Sequence, residues 1–240
     1  MKTRLALTFL LVLVAVLLPG AVPAHAGQII LSISSGSIGG AIFPPDVPSY
    51  AWSQGWSSAN AYTNASISIS LLAFPDDVEF PLEAFLVTQI GPGTTPADQV
   101  AYTALTASVR GVPSTVDPYD TSVMTHVPLF SGLTLDAGDY YLVIRTPGYT
   151  SSGEWLEVQW AANWELDINI NTAPGVGNLR LFSADGLVTG YAPATLFSEQ
   201  FYTYAWLEVT GEPVPDPGST ALLLGMGFAG LGAVRRRLRE

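Results

Sequence analysis

Hydrophobic and polar residues alternate with a period of two in many short segments of residues 27–212, where no sustained helical period with caps occurs. The clearest case is Ser66–Leu71, in which Ile67, Ile69 and Leu71 alternate with three serines. This alternation predicts a strand with one face against a core and the other toward solvent. The body of the chain is therefore predicted to be all-β.

Eight further segments show strand composition between turn-forming residues. The predicted strands are Gln28–Ser34, Ser66–Leu71, Glu83–Ile90, Val127–Leu135, Tyr140–Thr146, Trp155–Ala161, Trp164–Ile170, Asn178–Ser183 and Phe201–Thr210. Nine strands fit two packed sheets, so we expect an antiparallel, jelly-roll-like β-sandwich. The turn composition of Asp136–Asp139 predicts a hairpin over residues 133–145. We also expect a short helical turn at residues 96–100 and a long surface loop at residues 111–122.

Two apolar blocks outside this body raise the hydrophobic content to 48% and the mean hydropathy to +0.34. The first block, Leu5–Leu18, follows Lys2 and Arg4 and precedes a small-residue site that contains Ala24 and Ala26. This order is typical of a secretory signal peptide. We expect a signal peptidase to remove residues 1–26 and the protein to be exported.

The second block belongs to a C-terminal segment, residues 213–240, with three parts. Prolines keep the first part extended, the apolar run Ala221–Val234 follows, and arginines come last. The 17 residues from Gly218 to Val234 would form about 25 Å of helix, which is short for a permanent membrane span and adequate for a temporary one. The arginines are expected to stay on the cytoplasmic side and the body outside.

This ordered set resembles the PEP-CTERM sorting signal, a Pro-Glu-Pro-like motif followed by a transmembrane helix and an arginine cluster. The resemblance covers residues 214–240, with Asp216 where the family name implies Glu, as in a Val-Pro-Asp-type variant. It implies cleavage by an exosortase-like enzyme, transient membrane insertion, and delivery to the surface or extracellular matrix of a Gram-negative-type bacterium. A retained tail anchor is the alternative. The matching positions are Pro215, Asp216, Pro217, Gly218, Arg235, Arg236 and Arg237.

Charge and cysteine content exclude several functions. Residues 27–212 hold three arginines, no lysine and 18 acidic residues, so negative charges exceed positive ones by 15. Such a surface repels nucleic acid and anionic headgroups, which excludes a nucleic-acid partner. The absence of cysteine from the chain excludes disulfides, thiolate nucleophiles and thiolate metal ligands.

The sequence offers little for catalysis, and we predict no catalytic residue and no enzymatic activity. His126 is the one histidine of the body, and no Gly-x-Ser-x-Gly motif accompanies it. Glu165-Leu166-Asp167-Ile168-Asn169 resembles the Glu-x-Asp-x-Glu strand of laminarinase-type glycosidases, but the Asn169 amide cannot supply the second carboxyl group. A secreted glycoside hydrolase is the least favoured alternative.

No resident cofactor is predicted, but a structural calcium ion bound by oxygen-rich loops is an alternative. None of these loops has the spacing of the twelve-residue helix-loop-helix calcium site. Their acidic residues are Asp76, Asp77 and Glu79, then Asp117 and Asp120, then Asp136 and Asp139.

Two predicted strands carry aromatic and polar side chains on one face. Trp155, Glu157 and Gln159 share a face of one strand, and Tyr202, Tyr204 and Trp206 share a face of another. Flat apolar rings beside hydrogen-bonding groups suit sugar rings. The expected function is a structural or adhesive role at the cell surface or in the matrix, as in a biofilm, with a carbohydrate-binding module as the alternative and extracellular polysaccharide as its partner.

Overall fold

The computed structural model describes most of the body and a few residues of the C-terminal segment. The described residues are 27–35, 39–43, 50–74, 76–112, 124–147, 157–164, 168–184, 188, 190–200, 203–215, 225, 226, 228 and 235. Residues 1–26, which include the predicted cleavage positions Ala24 and Ala26, lie outside this set.

Fourteen strands and two short 3-10 helices make up the described body. The strands are β1 (Gln28–Ser35), β2 (Gly39–Phe43), β3 (Ala51–Ser58), β4 (Tyr62–Phe74), β5 (Val78–Val87), β6 (Gln99–Val109), β7 (Thr125–Leu135), β8 (Gly138–Arg145), β9 (Glu157–Trp164), β10 (Ile168–Thr172), β11 (Val176–Ala184), β12 (Phe197–Gln200), β13 (Thr203–Ala205) and β14 (Leu207–Pro213). The 3-10 helices are Pro96–Asp98 and Ala192–Ala194.

The strands form two antiparallel sheets. The first sheet has the order β10-β1-β14-β4-β9-β13, with β7 paired to β4 and β2 paired to β9. The second sheet has the order β12-β11-β3-β8-β5-β6. The pairing between all named strands is antiparallel, so the predicted all-β, antiparallel class is confirmed. The jelly-roll-like connectivity stays a prediction.

One large apolar cluster joins the two sheets. The first sheet contributes Ile67, Ile69 and Trp160, and the second contributes Phe80 and Leu142; all five side chains are buried. Ile67, Ile69 and Leu71 of β4 point into this core, as their alternation predicts. Sheets whose facing side chains share a core form two packed layers, and burial of that apolar surface is the main source of their stability.

Gln54 connects the two layers through buried hydrogen bonds. Its side chain is fully buried in β3, where its Nε2 donates to the backbone oxygens of Gly55 and Arg180. Its Oε1 accepts from the backbone N–H of Ala205 in β13 of the other sheet, at 3.0 Å. Because both polar atoms of the Gln54 amide have hydrogen-bond partners, its burial costs little free energy. The bond to Ala205 also fixes how the two sheets face each other.

The predicted hairpin over residues 133–145 is wrong. A tight turn does follow β7, and the Tyr140 hydroxyl donates to the Asp136 backbone oxygen across it at 2.7 Å. However, β7 pairs with β4 in the first sheet, whereas β8 pairs with β3 and β5 in the second. The turn joins the two layers because Leu135 and Tyr140 both enter the shared core, one from each sheet.

The helical turn predicted at residues 96–100 is confirmed as the 3-10 helix Pro96–Asp98. Thr95 caps it, since its hydroxyl accepts from the Ala97 N–H and its own N–H donates to the Asp98 carboxylate.

The predicted strand Phe201–Thr210 is divided at Trp206 into β13, which pairs with β9, and β14, which pairs with β4 and β1. Most of the predicted loop at residues 111–122 lies outside the described set.

Candidate functional site

A polar groove crosses the outer face of the first sheet, on the side opposite the shared core. Strand register places Ser32 of β1 opposite Glu208 of β14, and Glu208 opposite Ser68 of β4. In the next row, Ser70 of β4 lies opposite His126 of β7. The groove has a volume of about 330 Å³, and its lining side chains are Ser32, Ile33, Ser34, Ser68, Ser70, His126, Trp206, Leu207 and Glu208.

Alternation builds this groove from the sequence. Ser32 and Ser34 flank Ile33 in β1, and Ser68 and Ser70 flank Ile69 in β4. Because the isoleucines point into the core, the serines must lie on the other face. Small hydroxyl side chains leave the outer face concave between His126 and Glu208, which are both exposed.

Ser70 and His126 form a hydrogen bond of 2.9 Å between the serine Oγ and the histidine Nδ1. Ser70 is only 6% exposed, so its hydroxyl is largely shielded from a ligand in the groove. Among the described residues no carboxylate bonds to the His126 ring. The pair lacks the exposed nucleophile and the base-orienting acid of a Ser-His-Asp site, and it instead fixes the orientation of the imidazole at the groove.

Trp206 forms one wall of the groove and is 6% exposed. It packs in a small apolar cluster on the outer face with Leu72, Val112, Met124 and Ala161. Two hydrogen bonds hold its backbone. The Trp206 N–H donates to the Ala161 backbone oxygen at 2.6 Å, and the Trp206 backbone oxygen accepts from the Trp160 Nε1 at 2.8 Å. The Trp206 Nε1 has no hydrogen-bond acceptor among the described residues.

The other described residues predicted to bind glycans lie outside the groove. Tyr204 is half-buried and packs against the shared core, so its ring and that of Trp206 present no broad open face. Gln159 is half-buried in β9, opposite Leu72. Glu157 is placed at the start of β9, and Trp155 and Tyr202 lie outside the described set. Among the predicted glycan-binding residues that the structure describes, only Trp206 lines the groove.

The acidic loops do not converge on a cation site in the described part of the chain, where no three His, Asp or Glu side chains are grouped closely enough to hold a metal ion. The Asp77 Oδ1 accepts from the Gly111 N–H at 2.8 Å, and Glu79 accepts from the Ser108 hydroxyl. Asp76, Asp136 and Asp139 are exposed, whereas Asp117 and Asp120 lie outside the described residues.

The second sheet has its own polar cluster on its outer face. Arg145 forms an ion pair with Glu83, and both side chains are largely buried. The Arg145 Nη1 also donates to the Gly190 backbone oxygen at 2.7 Å, and Glu83 accepts from the Tyr102 hydroxyl at 3.1 Å. Desolvation, followed by this hydrogen bond, raises the pKa of Tyr102, so its hydroxyl is a donor at neutral pH. These contacts tie β5, β6 and β8 to the segment at Gly190.

We expect Arg145→Met to lower the free energy of unfolding by about 3 kcal/mol, because it leaves the Glu83 carboxylate largely buried without its cation. The matched control is Arg180→Met, whose pair with Glu199 spans 3.7 Å between side chains that are 56% and 35% exposed. That variant is expected to cost less than about 1 kcal/mol. Urea denaturation measures both, and equal losses would contradict the assignment of Arg145 as a buried structural cation.

The C-terminal segment is described at a few positions. Val214 and Pro215 are exposed, and the Val214 N–H donates to the Ala61 backbone oxygen at 2.9 Å. Arg235 is helical and exposed, while Asp216, Pro217, Gly218, Arg236 and Arg237 lie outside the described set. The helical residues that the structure does describe form no helix long and apolar enough to cross a membrane. Almost all of the span predicted at residues 218–234 lies outside them.

Comparison with known proteins gives one match. Residues 213–238 match the model of the VPDSG-CTERM motif, a sorting signal similar to PEP-CTERM. The chain reads Val214-Pro215-Asp216-Pro217-Gly218, with proline where the motif name has serine. No curated protein and no solved structure matches the chain.

The predicted Val-Pro-Asp-type sorting signal is therefore confirmed. This motif indicates an exported protein of the cell envelope or surface that an exosortase-like enzyme processes. The match covers the C-terminal segment alone, so it assigns no activity to the two sheets.

Proposed function

We propose that the protein is a non-catalytic adhesion component of the surface or extracellular matrix of a Gram-negative-type bacterium, and that its groove binds polysaccharide. The observation that carries this proposal is the groove itself, where the half-buried Ser32, Ser34 and Ser68 lie with His126 and Glu208 on two adjacent rows of one sheet face. Hydroxyl, imidazole and carboxylate groups in fixed positions complement the hydroxyls of a sugar chain.

The shape of the groove supports a chain-like ligand. Neighbouring strands lie about 4.8 Å apart and alternate residues of a strand about 6.8 Å apart, so the two rows present polar groups over the length of two to three sugar rings. The groove extends across the strands from β1 to β7. A groove that crosses several strands accepts internal units of a polymer, which suits adhesion better than capture of a small substrate.

Charge favours a polysaccharide without acidic groups. The body carries an excess of 15 negative charges, and Glu208 lies in the groove. An anionic polymer would be repelled at this surface, whereas neutral or amine-bearing sugars would not. Glu208 can accept hydrogen bonds from sugar hydroxyls or protonated amines.

Affinity gels test this proposal with three probes, which are a neutral β-glucan, chitosan and alginate. We expect retardation by the glucan or chitosan and none by alginate, and Glu208→Ala should weaken binding about tenfold by removing a charged acceptor. Glu212→Ala makes the same change in charge on β14 outside the groove and should bind like the wild-type protein. No retardation in any gel, or equal losses for the two variants, would contradict polysaccharide binding in the groove.

A further inference from the structure

Strand β6 is an edge of the second sheet with unusual composition. It occupies the end of the strand order, and β5 is its one partner among the described residues. Its eleven residues, QVAYTALTASV, include no charged residue, no proline and no glycine. Soluble proteins usually protect an edge with a charge, a proline or a bulge, because its free N–H and C=O groups can pair with another strand. The register of β6 against β5 shifts once, at Val100 near the start of the strand, so residues 101–109 form a regular edge.

The other edge strands that the structure describes are protected or short. β7 carries Pro128, and its register against β4 shifts three times. β2, β10, β12 and β13 have five, five, four and three residues, and β12 includes Glu199. Within the described part of the chain, β6 is thus the edge best able to add a strand.

We propose that β6 pairs antiparallel with β6 of a second copy of this chain, about a two-fold axis at Ala104. Within residues 101–107, residues at equal sequence distance from Ala104 then lie opposite each other, so Tyr102 faces Thr106 and exposed outer-face residues meet outer-face residues. The half-buried inner residues Ala101 and Leu105, which pack against the shared core, stay on the inner face.

Opposite charges at the two ends of β6 favour a second copy of this chain, paired antiparallel, as the partner. Asp98 of the 3-10 helix directly precedes β6 and Arg110 directly follows it, so antiparallel pairing brings Arg110 of each copy to the end of β6 at which Asp98 of the other copy lies. The side chain of Arg110 forms no ion pair with the described residues. Backbone donation from Thr95 holds the pKa of Asp98 below its usual value, so this carboxylate is ionised at neutral pH. Two such contacts oppose the repulsion between two acidic bodies.

The symmetry of this contact limits the assembly to a dimer. Each copy uses its β6 edge once, and the two-fold operation leaves neither β6 edge free. The joined sheet would have twelve strands, and the grooves of the first sheets would remain accessible on both copies. The dimer contact is independent of polysaccharide binding, since β6 contributes no residue to the groove.

Cysteine cross-linking of the full chain tests the register directly, because the natural sequence has no cysteine. In Ala104→Cys the two thiols lie opposite each other at the axis, where Cα atoms about 4.5–5.5 Å apart permit a disulfide. The matched control, Ser108→Cys, lies on the same face of the same strand, but its two copies would be about 27 Å apart. Both positions are exposed, and Ser108→Cys removes only a surface hydrogen bond to Glu79, so both variants should fold.

Under mild oxidation we expect at least about tenfold more disulfide-linked dimer from Ala104→Cys than from Ser108→Cys. Sedimentation should show that the wild-type protein is a dimer, and that the control Ala137→Lys, at an exposed turn, is also a dimer. Ala104→Lys places two lysines opposite each other at the axis, so it should be monomeric. Equal cross-linking of the two cysteine variants, no cross-linking of Ala104→Cys, or an unchanged mass for Ala104→Lys would overturn the proposed pairing.

Discussion

Trp160→Ala is expected to lower the free energy of unfolding by about 3–5 kcal/mol, the largest loss from a single core substitution that this fold predicts. The Trp160 side chain is fully buried at the centre of the cluster that both sheets share. Its removal leaves a cavity that the flanking strands cannot close, and it also leaves the Trp206 backbone oxygen without its indole donor. For a body of this size, the melting temperature should fall by roughly 10 °C.

Two comparisons separate the contributions to this loss. Trp160→Phe retains most of the ring volume but removes the N–H, so it should cost about 1–3 kcal/mol for the unpaired oxygen and a smaller cavity. Leu196→Ala, at a position that is 60% exposed, should change stability by less than about 0.5 kcal/mol. Chemical denaturation measures all three, and a Trp160→Ala protein as stable as Leu196→Ala would show that the two sheets do not share this core.

The sequence predicted strands best where large apolar residues alternate with small polar ones. In β4, isoleucine and serine differ so much in hydropathy that periodicity alone assigns each residue to a face. The same contrast is absent from β3 and β6, which were not predicted. β3 buries Ser53 and Gln54 beside Trp56, and β6 has alanine and threonine on both of its faces. In β3 and β6, tertiary contacts and strand register decide which residues are buried, and the sequence alone does not show them.

The hairpin error has a related cause. The composition of Asp136–Asp139 predicts a tight turn, which the structure contains, but a turn does not determine whether the following strand stays in the same sheet. Tyr140 packs on Trp56 of β3, with ring centroids 5.8 Å apart, so the chain continues in the second layer. Long-range packing of this kind cannot be derived from local sequence.

The groove could be predicted only in part. Alternation in β1 and β4 places serines on the outer face, but the sequence does not show that these strands flank Glu208. The aromatic pattern of residues 201–210 predicts a binding role for Trp206. Its burial beneath Val112 and Met124, however, depends on a segment far away in sequence. The pattern of a single strand therefore predicts which side chains lie on its outer face. Strand order, which the sequence does not give, determines which of these side chains form the groove.

Asp216→Ala is expected to abolish C-terminal processing of the exported protein, a larger functional effect than the tenfold loss of binding expected for Glu208→Ala. The motif match at residues 213–238 includes the Asp216 carboxylate, and the two prolines around it keep the backbone extended. A binding site built around a polar group rejects a substrate that lacks it, by up to about 10⁴-fold, because the groups of that site are left unpaired. The body should fold unchanged, since Asp216 follows β14, the last strand that the structure describes.

Two substitutions in the same motif serve as matched controls. Asp216→Glu keeps the carboxylate and Pro217→Ser restores the residue of the motif name, so both should be processed like the wild-type chain. Intact-mass measurement reads the C-terminus of each protein after export from hosts with and without the exosortase-like enzyme. A trimmed Asp216→Ala protein, or trimming of the wild-type chain in the host without the enzyme, would show that residues 213–238 do not direct this processing. Because the arginine cluster is unchanged in all three variants, a selective loss in Asp216→Ala would place recognition at the carboxylate instead of at membrane orientation.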